Sequence, residues 1–265
     1  MDNAPSPDDE HRVTIAPYLL PLAAGFVGGA MNALAGGGTF ATLPSLLAIG
    51  LPANVANATS NVALLPGAAT SAWAFRDELG PVGGISCRVL AAVTFAAGLV
   101  GSVLLVLTPS RAFDLIIPWL VLYAFVVLAF GKRASAWLRA RATIGTRTLL
   151  VAQFLLGIYG GYFGGGVGLM TTATYGLLAG HTPRELFAPR TLMLAVANAA
   201  AAIVFVAAGV VRWAAALPML VGAVAGGWAG ARVGRALPAG AIRGWTLLVT
   251  GATTAVFFWR AYGHG

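Results

Sequence analysis

The chain has 265 residues, of which 58% are hydrophobic and only 9% charged, with 16 basic against 8 acidic side chains and a net charge of +8. Soluble domains carry about 25% charged residues, so these charges cannot cover a water-exposed surface, and disorder and collagen-like repetition are excluded as well. A mean hydropathy of +0.84 and 35 glycines point to an all-α, polytopic membrane protein with closely packed or broken helices.

In chain order, residues 1–12 read as an acidic tail, with Asp2, Asp8, Asp9 and Glu10 against Arg12, the reverse of the basic start of a secretory leader. Residues 13–50 are apolar but too long for one helix, and Gly36-Gly37-Gly38 interrupts them. That pattern predicts a hairpin of short or broken helices meeting at membrane depth. Spans follow at about 55–75, 84–107 and 114–131. Residues 132–147 form a basic linker. A second interrupted region, 148–180, carries Gly164-Gly165-Gly166 and Gly168, and three more spans lie at 187–210, 213–231 and 242–260. Each span is long enough to cross a hydrocarbon core of ~30 Å at ~1.5 Å per residue.

The two halves, 13–131 and 148–262, resemble each other. Gly25, Gly28 and Gly29 correspond to Gly157, Gly160 and Gly161, and the interval from Gly38 to Gly50 equals that from Gly168 to Gly180. A hairpin plus three spans is an odd number of crossings, so the second half starts on the opposite side and the repeats are inverted, as in many secondary transporters.

The charges fit orientation better than nucleic-acid binding, because they sit in short gaps between apolar runs. Lys132, Arg133, Arg139, Arg141 and Arg147 set the linker on the cytoplasmic side of an inner membrane. Alternation then puts loops 76–88, 181–190 and 232–243 inside. Both termini fall outside, with Arg12, Arg111, Arg212 and Arg260. Of the tryptophans, Trp73, Trp119, Trp137, Trp213, Trp245 and Trp259 sit near span ends and read as interface anchors.

No Asp, Glu, Lys or His falls near the middle of a span; Asp77, Glu78, Asp114 and Glu185 lie at span ends. This argues against a carboxylate cation site, a carboxylate proton relay and acid–base catalysis, and hence against an enzyme. Cys87 is the single cysteine, and His11, His181 and His264 are scattered, so neither a disulfide nor a metal set is predicted. No cofactor is expected.

What remains at depth is neutral and polar. Glycine breaks free the N–H groups of half-helix N-termini, which bind anions without a cationic side chain. Gly36, Gly37, Gly38 and Thr39, opposed by Gly165, Gly166 and Gly168, are the first candidates, with close helix packing as the alternative. Asn57, Thr59, Ser60 and Asn61 open the third segment, either as a cap or as donors to a solute. Arg190 in the matching second-half stretch reads either as an oxyanion partner or as an orientation charge. Asn32, Asn198, Thr171 and Thr172 are candidates for solute contact or for hydrogen bonds between helices, the latter favoured for Asn198. Tyr159 and Tyr162 flank the second break, lining a pathway or packing.

The run from Gly25 to Ala63 resembles the signature of the sulfite exporter TauE/SafE family. Its elements are Gly25 to Gly29, Ala35 to Gly38, Leu43-Pro44, Gly50-Leu51-Pro52 and Ala56 to Ser60, in that order. Residues 157–191 resemble the family's second repeat, except that Pro189-Arg190-Thr191 stands where a Thr-Ser pair is common. The resemblance implies a permease for sulfur-containing anions such as sulfite or organosulfonates, in either direction. The residues alone indicate a transporter of a small anion in the lipid bilayer, with a homodimer as a possible assembly and no nucleic-acid partner. An anion channel and a non-transporting subunit of a membrane complex stay open as alternatives.

Overall fold

The computed structural model describes residues 7–139, 145–182 and 184–263, and their side chains except at 7–17, 132–139, 234–236 and 239. Among these residues the chain is helical, with one isolated bridge between Val82 and Ile85. The helices are α1 (Pro7–Leu34), α2 (Thr39–Ala48), α3 (Ala53–Ala74), α4 (Cys87–Leu107), α5 (Ser110–Arg139), α6 (Thr146–Tyr162), α7 (Val167–Ala179), α8 (Phe187–Ala207), α9 (Trp213–Ala236) and α10 (Ala239–Tyr262). Five of them, α4, α5 and α8 to α10, are long and apolar enough to cross a membrane. Two boundaries differ most from the sequence reading. α1 already starts at Pro7, inside the expected tail, and α5 continues through Arg139 into the expected linker, of which 140–144 lie outside the described residues.

Both interrupted regions are broken where the glycines stand. α1 ends with the amides of Ala35 and Gly36 converging on the Met31 carbonyl, at 2.8 and 3.1 Å. α6 ends the same way, with Phe163 and Gly164 on the Tyr159 carbonyl at 2.9 and 3.4 Å. Gly36 (φ +83°) and Gly164 (φ +75°) adopt the left-handed conformation this helix ending requires, which a side chain would disfavour. α2 then folds back along α1, so that Gly28 lies against Gly38 and Thr42.

The packing repeats when the halves are exchanged. α1 lies along α9, and α6 lies along α4. α3 crosses α8, α5 meets α10, and α4·α8 is matched by α3·α9. Glycines make the two long seams possible. A Cβ on Gly29 would collide with the Ala223 carbonyl of α9, and one on Gly161 with the Gly98 carbonyl of α4. The reverse contacts are Gly226 on Phe26 and Gly101 on Ile158. Small residues let the backbones touch, and the close fit replaces the hydrophobic drive that lipid cannot supply.

α3 is 22 residues long but is not among the apolar spans, because Asn57, Thr59, Ser60 and Asn61 lower its hydropathy. Protein covers that end, where Ala56 to Leu64 are buried. Large apolar side chains such as Leu107, Val151, Leu155, Leu217, Val221 and Leu248 face outward, as a lipid-facing surface requires. Trp73, Trp119, Trp213, Trp245 and Trp259 are exposed as well. The side chain of Trp137 lies outside the described residues. Trp228, absent from the sequence-based set, is exposed with the Arg232 guanidinium 3.4 Å above its ring.

Ahead of α8, Thr182 and Glu185 form a reciprocal capping box. The Thr182 amide donates to the Glu185 carboxylate at 2.8 Å, and the Glu185 amide to Thr182 Oγ1 at 3.4 Å. The Thr182 amide, with the Thr182 hydroxyl and His181 beside it, holds the exposed Glu185 carboxyl below its usual value.

Candidate functional site

The two glycine breaks come together. A Cβ on Gly36 would lie 2.8 Å from the Gly168 Cα, and one on Gly168 would lie 3.0 Å from the Gly36 Cα. The Phe40 ring covers Gly166, within 3.0 Å of its Cβ direction, and sits 6.4 Å from the Phe163 ring. No solute fits between Gly36 and Gly168 in this conformation.

At the first break the polar groups are mostly satisfied. The Gly38 amide donates to Asn32 Oδ1 at 2.7 Å. Thr42 donates to the Gly38 carbonyl at 3.2 Å and pairs with the Ser60 hydroxyl at 2.5 Å. Thr39 is buried in the first turn of α2, and the Gly37 amide makes no hydrogen bond. Thr253 of α10 donates to the Phe40 carbonyl at 3.2 Å.

Each half also caps the other. Arg190, on α8, donates to the carbonyl of Leu34, the last residue of α1, at 3.2 Å. Asn57, on α3, donates to the carbonyl of Tyr162, the last residue of α6, at 3.0 Å. Both cations and amide dipoles suit the negative end of a helix. Arg190 is 8% exposed and lies 4.5 Å over the Phe187 ring. Among the described residues it is the one buried charged side chain.

The second break is less satisfied. The buried amides of Gly165, Gly166 and Gly168 make no hydrogen bond. Asn61 is 3% exposed, and neither atom of its amide has a partner; its Nδ2 lies 2.7 Å from where a Gly164 Cβ would be. Thr171 Oγ1, Asn57 Oδ1 and Asn198 Oδ1 are likewise buried without partners. Thr172 donates back to the Gly168 carbonyl at 2.8 Å. Unpaired buried polar atoms are rare in native folds and ask for a water, an ion or a solute.

The remaining candidates have packing partners. Thr59 Oγ1 accepts from the Arg212 amide at 3.0 Å, capping α9. Tyr159 donates to the Gly165 carbonyl at 2.7 Å and so braces the second break. Tyr162 stands edge-on to Phe113, centroids 5.4 Å apart. Sequence reasoning missed a polar cluster beside α6: Gln153 donates to Thr94 at 2.5 Å and accepts from Tyr175 at 2.7 Å. A lone amide in an apolar run was its only signal. Among the described residues no three His, Cys, Asp or Glu side chains meet as a metal set. A cavity of about 10 Å³, room for roughly one water, lies between α1, α3, α8 and α9.

Comparison with known proteins agrees with this architecture. The family model described as "Sulfite exporter TauE/SafE" matches residues 21–257. "Probable membrane transporter protein YfcA" of Escherichia coli K12 is 26% identical over 248 residues, 93% of this chain and 90% of its own length. "Probable membrane transporter protein" of Haemophilus influenzae is 28% identical over 79% of this chain and 82% of its own. "Probable membrane transporter protein ORF9" of a Sinorhizobium species is 28% identical over 86% and 87%. No solved structure matches the chain. With its all-helical fold, the paired glycine breaks and a family match spanning nearly the whole chain, this polytopic membrane protein belongs to the sulfite exporter TauE/SafE family and is a membrane transporter.

Proposed function

We propose that the protein carries small oxyanions, sulfite or short organosulfonates among them, across the inner membrane, with the anion bound at the second glycine break. The observation that carries this reading is Asn61: a buried amide with no partner at either end, against Gly164, the residue that precedes the free amides of Gly165 and Gly166. Main-chain N–H groups at the start of α7 favour negative charge. Arg190 supplies the buried cation near the neighbouring break. Asn61 Oδ1, Asn57 Oδ1 and Thr171 Oγ1 offer acceptors. A protonated oxyanion such as hydrogen sulfite carries both acceptor oxygens and one O–H donor, and matches both kinds of group.

The matched packing of the halves supports repeats that rock against each other, and the basic residues of the linker support its cytoplasmic side, with the N-terminus outside. The direct contact of Gly36 and Gly168 favours a carrier over an open channel. The test is flux in proteoliposomes with sulfite, thiosulfate, sulfate and short sulfonates, with and without a pH gradient. Saturable flux with counterflow is expected for at least one sulfur oxyanion, and Asn61→Leu abolishes it. Absence of flux for every anion leaves the non-transporting subunit as the reading; linear, unsaturable flux leaves the channel.

A further inference from the structure

The cavity between α1, α3, α8 and α9 is lined by Asn32, Thr191, Ser71 and Gly227 among others. Two of its polar groups have partners: Asn32 Oδ1 accepts from the Gly38 amide, and the Thr191 hydroxyl donates to the Phe187 and Ala188 carbonyls. Exchanging the halves carries this locus onto a second one. The correspondence of Gly29 with Gly161, of Leu64 with Leu194 and of Ala223 with Gly98 preserves the contacts made at each seam. Under it Thr191 becomes Asn61, Ala68 becomes Asn198, and Gly227 becomes Ser102.

The two loci are built alike but are in different states. Position by position, Ser71, Asn32 and Gly227 are partly exposed, whereas their counterparts Ala201, Gly164 and Ser102 are all buried, Ala201 and Ser102 completely. Asn61 and Asn198 moreover hold buried amide atoms without partners. Closing a polar pocket over unpaired amides is unfavourable, and a conformation that admits water or solute to them relieves the cost.

We infer that these loci are two alternating access routes to the glycine breaks, the Ser71 route ajar and the Asn61–Asn198–Ser102 route shut. This rests on the transport reading for its purpose but not for its test. Ser71 lies near the end of α3 that leads into loop 75–86, and Ser102 near the end of α4 that leads to Thr108. Consecutive spans put those ends on opposite faces of the membrane.

The native thiol, Cys87, is free and buried, so a Cys87→Ser background is suitable for thiol labelling. Ser71→Cys and Ser102→Cys are close to isosteric and keep the helices packed. A membrane-impermeant methanethiosulfonate, applied to one face at a time in sealed vesicles, is expected to modify Ser71→Cys from one face and Ser102→Cys only from the other. The second reaction runs roughly tenfold or more slower, as for a state populated at about 10% or less. Asn198→Leu replaces an amide whose Oδ1 is unpaired with apolar atoms and is expected to slow the Ser102→Cys reaction further, while Ser71→Cys still reacts and reports a folded protein. Labelling of both thiols from the same face overturns the inference, as does a Ser102→Cys that never reacts or is indifferent to Asn198→Leu. Opposite-face labelling without sulfur-oxyanion flux keeps the two routes and discards the substrate.

Discussion

Gly36 and Gly168 touch main chain to main chain, each standing where the other's Cβ would have to go. The two interruptions are therefore not independent defects in separate helices but a single joint. Gly168→Ala has ordinary helical backbone and is expected to cost about 1–3 kcal/mol through overpacking alone. Gly36→Ala adds the strain of a left-handed residue, φ +83°, and about 1 kcal/mol more. Thermal unfolding in detergent should rank wild type above Gly168→Ala above Gly36→Ala; equal midpoints would remove the joint.

The seams between halves make a sharper contrast. Gly161→Ala drives a methyl group into the Gly98 carbonyl, whereas Gly67→Ala meets nothing nearer than 3.7 Å. The first is expected to lose about 1–3 kcal/mol. The second is expected to be neutral or to gain a few tenths up to about 1 kcal/mol from helix propensity. Chemical or thermal denaturation of the two variants side by side measures the difference.

Arg190 is asked to cap Leu34 and to supply positive charge near the breaks. Arg190→Gln retains a donor for the carbonyl but removes the charge. Losing a charged hydrogen bond costs about 1.5–3 kcal/mol, and anion flux should fall about tenfold or more. Arg190→Lys keeps the charge and should recover part of the flux without full stability, since an ammonium lacks the planar fork. Equal flux in Gln and Lys variants would assign Arg190 to the helix cap alone.

Glu185 predicts an acid sensitivity at one place. Its pKa is lowered in the folded protein from a usual 4.5, chiefly by the Thr182 amide. The stabilisation is thus present above that value and is lost as pH falls through the lower folded value. Glu185→Gln should flatten the stability profile in that acid range and leave it unchanged near neutrality. A pH series of unfolding midpoints, wild type against variant, reads this directly.

The breaks and span positions were legible because Gly-rich interruptions and hydropathy are local signals: residues 36–38 and 164–166 stand where α1 and α6 stop. Asn61 was legible as one of four polar residues in five, since apolar surroundings make polarity conspicuous. The two reciprocal caps were not. That Asn57 of α3 reaches Tyr162 of α6 and Arg190 of α8 reaches Leu34 of α1 depends on how the two halves pack together, which no local pattern encodes. Nor did the sequence single out Thr42, whose hydroxyl meets Ser60, because a threonine in an apolar helix ordinarily bonds its own backbone. The free N–H groups foreseen at both breaks persist mainly at the second, because Asn32 has already taken Gly38.

The partnership of α1 with α9, and of α6 with α4, reaches across the chain. During synthesis α1 leaves the ribosome long before α9 exists, and its glycine face must wait in lipid for a mate near the other end of the sequence. Neither half can therefore mature alone. Two separately encoded halves should assemble only when made together, and truncation before Trp213 should leave an early helix unpaired and the product open to degradation.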